Sequence, residues 1–184
     1  MKENKNECKV TLAPLEASDR AQFIRDNQEA FYFGAVEEFG LRDDHFNGEG
    51  EIISRETIER SLDTPGAKAY RIFSDGEKVG GVVLILDKKT LRGDLDLLFV
   101  SPKAHSKGIG FAAWQAVERM HPEIRVWETY TPYFEQRNLN FYINKCGFHA
   151  VEFFNEHHPC PNAPESNAED GPDVMFRFEK IMPQ

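Results

Sequence analysis

The chain is 184 residues long, a length that favours one domain, residues 1–184, with room for a proper core. Its formal net charge of −9 argues against a nucleic-acid or membrane-surface role, because phosphates attract basic faces. No apolar run is long enough to cross a bilayer, and the three cysteines (Cys8, Cys146, Cys160) are too few and too scattered for a disulfide framework, which points to a reducing cytoplasm.

Residues 1–7 read as a frayed polar tail without an apolar signal core. Residues 9–15 alternate well enough for a first strand. Ser18 or Asp19 then caps a helix, with Gln22 placed to close a capping box on Asp19. Ala21, Ile24, Ala30, Phe31 and Ala35 carry this segment towards Phe39, as one helix or as two with a kink. Residues 40–51 are acidic and turn-rich and read as a loop. Ser54 caps a short helix containing Ile58 and Leu62, and Pro65-Gly66 ends it. Residues 67–73 form a strand, Asp75-Gly76 a hairpin turn, and residues 78–86 a long apolar strand. Residues 88–93 turn the chain into the next strand.

That strand opens the most informative stretch. Leu95, Leu97, Leu98, Phe99 and Val100 form a nearly continuous apolar run, as expected of a strand covered on both faces. Ser101-Pro102 stops it, since proline cannot donate to a ladder. Gly108 and Gly110 bracket Ile109, and Ile109, Ala112, Ala113, Ala116, Val117 and Met120 recur at helical spacing until Pro122. The first N–H groups of a helix lack internal partners and carry partial positive charge, so a glycine loop at that point makes an anion site, most often for phosphate. Lys107 adds a mobile cation beside it. A P-loop is absent, and GxGxxG fails because position 113 is Ala. Residues 124–130 form another strand, ended by Thr131-Pro132; residues 134–145 form a helix, stopped by Gly147. Residues 148–154 and 174–181 make a final strand pair, separated by a proline-rich loop over residues 157–172.

Val100-x-Pro102 followed by His105-Ser-Lys-Gly-Ile-Gly110 resembles the acetyl-CoA-binding motif of the GNAT superfamily of N-acetyltransferases, with His105 where Gln or Arg is usual. Asn138-Leu-Asn140-Phe-Tyr142 through Gly147-Phe148 resembles the family's later helix and strand, and the order of elements matches the family's. The resemblance implies an α+β fold: a mixed, mostly antiparallel sheet of about seven strands, helices on both faces, and a splayed parallel strand pair that receives the acyl-CoA. It implies transfer of the acetyl group of acetyl-CoA, a co-substrate, to a primary amine of a small molecule or protein by direct attack in a ternary complex. It implies no metal, and homodimers are common among relatives. A non-catalytic acyl-CoA-binding sensor of the same fold is the alternative.

Within that resemblance, the backbone of Leu98, Phe99 and Val100 would pair with the pantetheine amides as an added strand would, the Val100 N–H facing the oxyanion. His105, Ser106, Lys107, Gly108, Ile109, Gly110 and Phe111 would hold the pyrophosphate. Tyr142 is the favoured proton source, its phenol having a reference pKa of about 10. Gly147 follows it by five residues where four is more common, which would favour Ile143 at that place; a core tyrosine is the competing reading. Asn138, or Asn140, would meet the pantetheine arm. Asp94, Asp96 and Glu128 are the candidate bases, with Asp96 and Glu128 preferred; Asp96 shares strand parity with Leu98 and Val100. An ion pair with Arg92 or Arg125 explains these acids equally well. Asp43, Asp44 and His45 are possible acceptor contacts. Trp127, Tyr130, Tyr133 and Phe134 form either core or a face for a cationic acceptor. His157-His158-Pro-Cys160 lacks the second ligand cluster that a zinc site needs.

Overall fold

The computed structural model describes residues 9–34, 52–105, 107–133, 135–161 and 174–183. Cys8, the loop carrying Asp43, Asp44 and His45, Ser106, Phe134 and residues 162–173 lie outside them. The strands are β1 (Val10–Pro14), β2 (Ala67–Ser74), β3 (Glu77–Asp87), β4 (Arg92–Val100), β5 (Val126–Pro132), β6 (His149–Phe154) and β7 (Met175–Ile181). The α-helices among the described residues are α1 (Arg20–Tyr32), α2 (Arg55–Asp63), α3 (Ile109–Met120) and α4 (Gln136–Asn140). The strands hydrogen-bond in the order β1-β2-β3-β4-β5-β7-β6. Neighbours are antiparallel at β1–β2, β2–β3, β5–β7 and β6–β7, and parallel at β4–β5. This is the mixed, mostly antiparallel sheet that the order of elements implies. The chain divides into two compact units, residues up to Leu86 with Leu95–Pro122, and Asp87–Asp94 with residues from Glu123 on.

In the first unit, the apolar stripe of α1 (Phe23, Ile24, Ala30) packs with Ile58 of α2 and with Val83, Leu97 and Phe99. Gly81 makes this possible. A Cβ there would lie 2.3 Å from the Phe23 ring and 2.6 Å from the Phe99 ring. Without it the two rings meet edge-on at 5.1 Å. A second cluster joins Ile72, Ala104, Ile109 and Ala113, with Leu98 and Val100 packed against it. Burial along β4 therefore alternates instead of running continuously: Leu95, Leu97 and Phe99 are buried, while Leu98 and Val100 are half-covered. The turns follow their residues. Asp75 and Gly76 both have positive φ, 51° and 85°, as a two-residue hairpin of the primed kind requires. The Ser54 hydroxyl caps α2 by accepting from the Thr57 N–H at 3.1 Å.

The capping box expected at Asp19 does not form. Asp19 ends a 3₁₀ turn, Ala17–Asp19, and its side chain makes no cap. Gln22 donates instead to Asp26 at 2.6 Å. The competitor is Arg71 of β2, whose side chain is 3% exposed. Its guanidinium donates to Asp19 at 2.7 Å and to Asp26 at 2.8 Å and lies over the Phe23 ring at 5.1 Å. A buried cation must be paired, and charge-assisted bonds outbid a helix amide for the same carboxylate.

In the second unit, β4 and β5 pair over Arg92↔Val126, Gly93↔Trp127 and Asp94↔Glu128. Glu128 and Glu179 stand directly opposite each other across β5 and β7, which like charges resist. Arg92 and Arg177 reconcile them, each donating to both carboxylates. The helix expected over residues 134–145 is broken: α4 spans five residues and passes into a π turn, Phe141–Lys145. A π turn holds one residue more than an α turn. That residue is the extra one in the Tyr142-to-Gly147 spacing, and it leaves Tyr142 buried and Ile143 43% exposed.

Replacing Asp19 with Ala leaves the Arg71 guanidinium short of one carboxylate and costs about 2 kcal/mol of stability in urea at pH 7. The Arg71 bond, helped by Lys78, holds the Asp19 carboxyl below the usual carboxylate range. Its contribution is thus present above the unfolded value of about 3.9 and is lost as pH falls through the folded one. Wild-type and Asp19→Ala unfolding curves should converge on going from pH 7 to pH 3. An undiminished gap at pH 3 contradicts the pairing.

Candidate active site

The strand-to-helix turn after β4 is built in three steps. The Ser101 N–H donates to the Val79 carbonyl at 2.7 Å, holding the end of β4 to β3. Pro102–Ala104 then forms one 3₁₀ turn, closed by the Ala104 N–H on the Ser101 carbonyl. The ring of His105 folds back so that Nε2 lies 2.8 Å from the Val100 carbonyl, with Phe33 edge-on to it at 5.4 Å. A carbonyl only accepts, so Nε2 carries the hydrogen. His105, the departure from the usual Gln or Arg, thus ties the turn to the strand's last carbonyl.

Gly108 then takes φ = 72°, ψ = 8° at the N-cap of α3. An L side chain pays about 1–2 kcal/mol in this left-handed region. A Cβ at Gly108 would meet nothing within 4 Å, so the backbone there faces open space. Lys107 and Gly108 are exposed, Ile109 is buried at 3% and anchors the first turn, and Gly110 and Phe111 are half-covered. The result is a helix start whose Gly108 backbone is open, with an exposed lysine beside it, an arrangement that suits an anion.

Asp96 keeps the strand parity of Leu98 and Val100, all three half-covered where Leu95, Leu97 and Phe99 are buried. It hydrogen-bonds Ser61 of α2, the helix whose Ile58 packs with Leu97 and Phe99. Its other oxygen, Oδ2, is buried without a partner. Burial raises its carboxyl above the ordinary range, and the Ser61 bond offsets this in part. Between the end of β4 and α1 runs a shallow groove lined by Asp26, Glu29, Lys78, Gly80, Phe99 and Ser101 among others.

The second unit holds the remaining candidates. Tyr142 packs edge-on to Phe141 at 5.4 Å and Phe148 at 5.7 Å, with Phe178 at 6.0 Å. Its phenol is bonded to Thr129, and burial raises its pKa well above the ordinary phenol value. This is also how a core tyrosine packs. Glu128 accepts from Arg92 at 3.1 Å and Arg177 at 3.3 Å, the structural pairing the sequence leaves open. Asn138 donates to Glu135 at 3.3 Å. Glu135 is a carboxyl that the sequence reading missed; burial raises its pKa, against the pull of Arg137. The signal was weak, one acid just before a short helix.

The described aromatic residues Trp127, Tyr130 and Tyr133 are covered to different degrees. Trp127 is fully buried, Tyr130 stacks on Phe154 at 6.2 Å, and Tyr133 is 50% exposed. His158 pairs with Glu152 at 2.8 Å and stacks on Phe154, while His157 pairs with Glu156. Among the described residues no three His, Cys, Asp or Glu side chains converge as metal ligands would.

The mixed sheet with its parallel β4–β5 pair and the open glycine turn into α3 form the frame of this chain. The family model for the GNAT acetyltransferase family matches residues 22–148, and the chain belongs to that family. A Bacillus subtilis (strain 168) protein described as uncharacterized, YrkN, is 46% identical over 183 residues, covering 97% of this chain and 96% of its own. Among solved structures, the ribosomal-protein-S18-alanine N-acetyltransferase of Escherichia coli is similar at a TM-score of 0.67 with 12% identity, over 96% of both chains. The spermidine N-acetyltransferase of Vibrio cholerae, solved with CoA and spermine, is similar at 0.62 with 13% identity, over 94% of this chain and 95% of that one. At these identities the two solved structures speak for the fold.

Asp96 gives a direct check on the buried carboxyl. A raised folded pKa means that stability is full below the unfolded value of about 3.9 and is lost as pH rises through the folded one. Asp96→Asn removes that loss. The variant should unfold at higher urea than wild type at pH 8, with the difference closing towards pH 4. A destabilised variant at pH 8 contradicts the placement.

Proposed function

We propose that this protein is an acetyl-CoA-dependent N-acetyltransferase, acting on a primary amine by direct attack in a ternary complex. The observation that carries the reading is the open, left-handed Gly108 at the start of α3, directly after a strand end locked by His105. Family membership supports acetyl transfer, and the CoA bound in the Vibrio cholerae structure supports the choice of donor.

In this reading the amides of Lys107 to Phe111 hold the diphosphate, with no side-chain specificity needed beyond the glycines. The main chain of Leu98, Phe99 and Val100 aligns the pantetheine arm. The amine lone pair attacks the thioester carbonyl, the C–N bond forms, the carbonyl becomes an oxyanion, and the C–S bond then breaks. Asp96, with a raised pKa and one unpartnered oxygen, is the proposed acceptor of the amine's proton. Tyr142, kept protonated by burial, is the proposed proton source for the departing thiolate. Glu128 is committed to two arginines and has no part in the proposed chemistry.

The enclosed Tyr142 and the salt-bridged Glu128 favour a second reading, an acyl-CoA-binding sensor without turnover. Calorimetry with acetyl-CoA and release of free CoA thiol with a panel of amines separate the two. The enzyme reading expects micromolar binding, amine-dependent thiol release, and at least tenfold weaker binding in Gly108→Val, whose side chain is strained and faces the diphosphate. Tyr142→Phe should keep acetyl-CoA affinity and lose about 100-fold in kcat. Binding without thiol release, unchanged in Tyr142→Phe, establishes the sensor; no binding at high micromolar concentration removes both.

A further inference from the structure

The sequence groups His105 with the residues that would hold the diphosphate, yet its ring is already engaged. Nε2 lies 2.8 Å from the Val100 carbonyl, and the ring of Phe33, at the end of α1, meets the imidazole edge-on at 5.4 Å. Reaching an anion at the start of α3 would mean giving up both contacts.

The Val100 carbonyl needs such a donor. The Ser101 N–H points to β3, where it donates to Val79 at 2.7 Å. Groups alternate along a strand, so the N–H and carbonyl of Val100 leave β4 on its other edge. On that edge the ladder with β5 runs from Arg92 only to Asp94. No strand ladder therefore takes the Val100 carbonyl, and the imidazole does.

The bond also fixes the turn. The Ala104 N–H donates to the Ser101 carbonyl at 2.8 Å and the His105 N–H to the Pro102 carbonyl at 3.2 Å, so these bonds close the turn on itself. The imidazole bond reaches back five residues and joins the turn to the strand. Beyond it Lys107 and Gly108 are exposed, and Ile109 is buried again in the cluster with Ala104. The segment is thus pinned on both sides of its exposed residues. A segment pinned in this way loses little freedom when an anion orders its amides.

Resting on the acetyltransferase reading, we propose that His105 is a positioning residue for the donor: it touches no part of the cofactor and sets its affinity by holding the Val100 carbonyl through a neutral imidazole N–H. The role asks for one donor of the right reach and for no charge. A carbonyl only accepts, so the hydrogen sits on Nε2. Glutamine ends in an N–H that can take the same carbonyl. Phenylalanine keeps a ring against Phe33 and has no donor.

The test is calorimetry of the full chain with CoA and with inorganic pyrophosphate, beside thiol release from acetyl-CoA. His105→Phe should bind both ligands at least about tenfold more weakly, its loss in turnover falling on KM for acetyl-CoA rather than on kcat. His105→Gln should bind both within about threefold of wild type. Nitrogen-15 NMR of the imidazole at pH 7.5 should show a neutral ring with its hydrogen on Nε2, before and after saturation with CoA. Wild-type affinity in His105→Phe overturns the proposal. A glutamine variant as weak as the phenylalanine variant does so too, since the ring itself would then be the contact. So does a change to imidazolium on CoA binding, the mark of a ring that meets the diphosphate. A melting temperature lowered equally in both variants, with kcat falling alongside affinity, makes His105 merely structural and also overturns it. A wild type that binds CoA but releases no thiol with any amine removes the acetyltransferase reading, while the affinities still decide the role of His105. A wild type that binds no CoA removes both.

Discussion

A single backbone constraint governs the first unit: the chain must leave a strand end and enter a helix with its first amides unobstructed. Gly108 meets that demand by adopting a left-handed conformation that side chains resist. The surroundings hold it there. Ser101 is bonded back to Val79, the 3₁₀ turn closes on itself, His105 is tied to the Val100 carbonyl, and Ile109 is sunk into the second apolar cluster. So much local hydrogen bonding fixes the shape of this one short turn in advance, which is what the proposed anion cradle requires.

Buried charge is handled in two opposite ways. Arg71 is fully matched by Asp19, Asp26 and the face of Phe23. Arg92 and Arg177 share three glutamates across the strands of the second unit, so Glu128 and Glu179 can stand opposite each other. Asp96 and Asn27 are left incompletely satisfied in the first unit. Matched charges fix a fold, while unmatched polar groups weaken it.

Local signals carried most of the fold. Ser54 capped its helix, Asp75-Gly76 turned its hairpin, Gly147 stopped its helix at φ = 77°, and alternation located the strands, because each depends on residues close in sequence. What escaped the sequence was long-range. The Asp19 cap lost to Arg71, 52 residues away. The bond of Asp96 to Ser61 joins two elements, which strand parity could not report. The π turn at Phe141–Lys145 was hinted at by a spacing one residue too long, yet its geometry depends on the packing of Tyr142 against Phe148 and Phe178. For the site, the glycine turn was legible from motif and periodicity. Glu135 was not, because in sequence it is one acid before a short helix, and only burial raises its pKa.

The account is tested most directly by amide NMR of the full chain titrated with CoA. Main-chain amides that grip a diphosphate should move first and furthest at Gly108, Ile109 and Gly110, and inorganic pyrophosphate should move the same resonances at higher concentration. Shifts confined to other parts of the chain, with these three amides unmoved at saturating CoA, would contradict it.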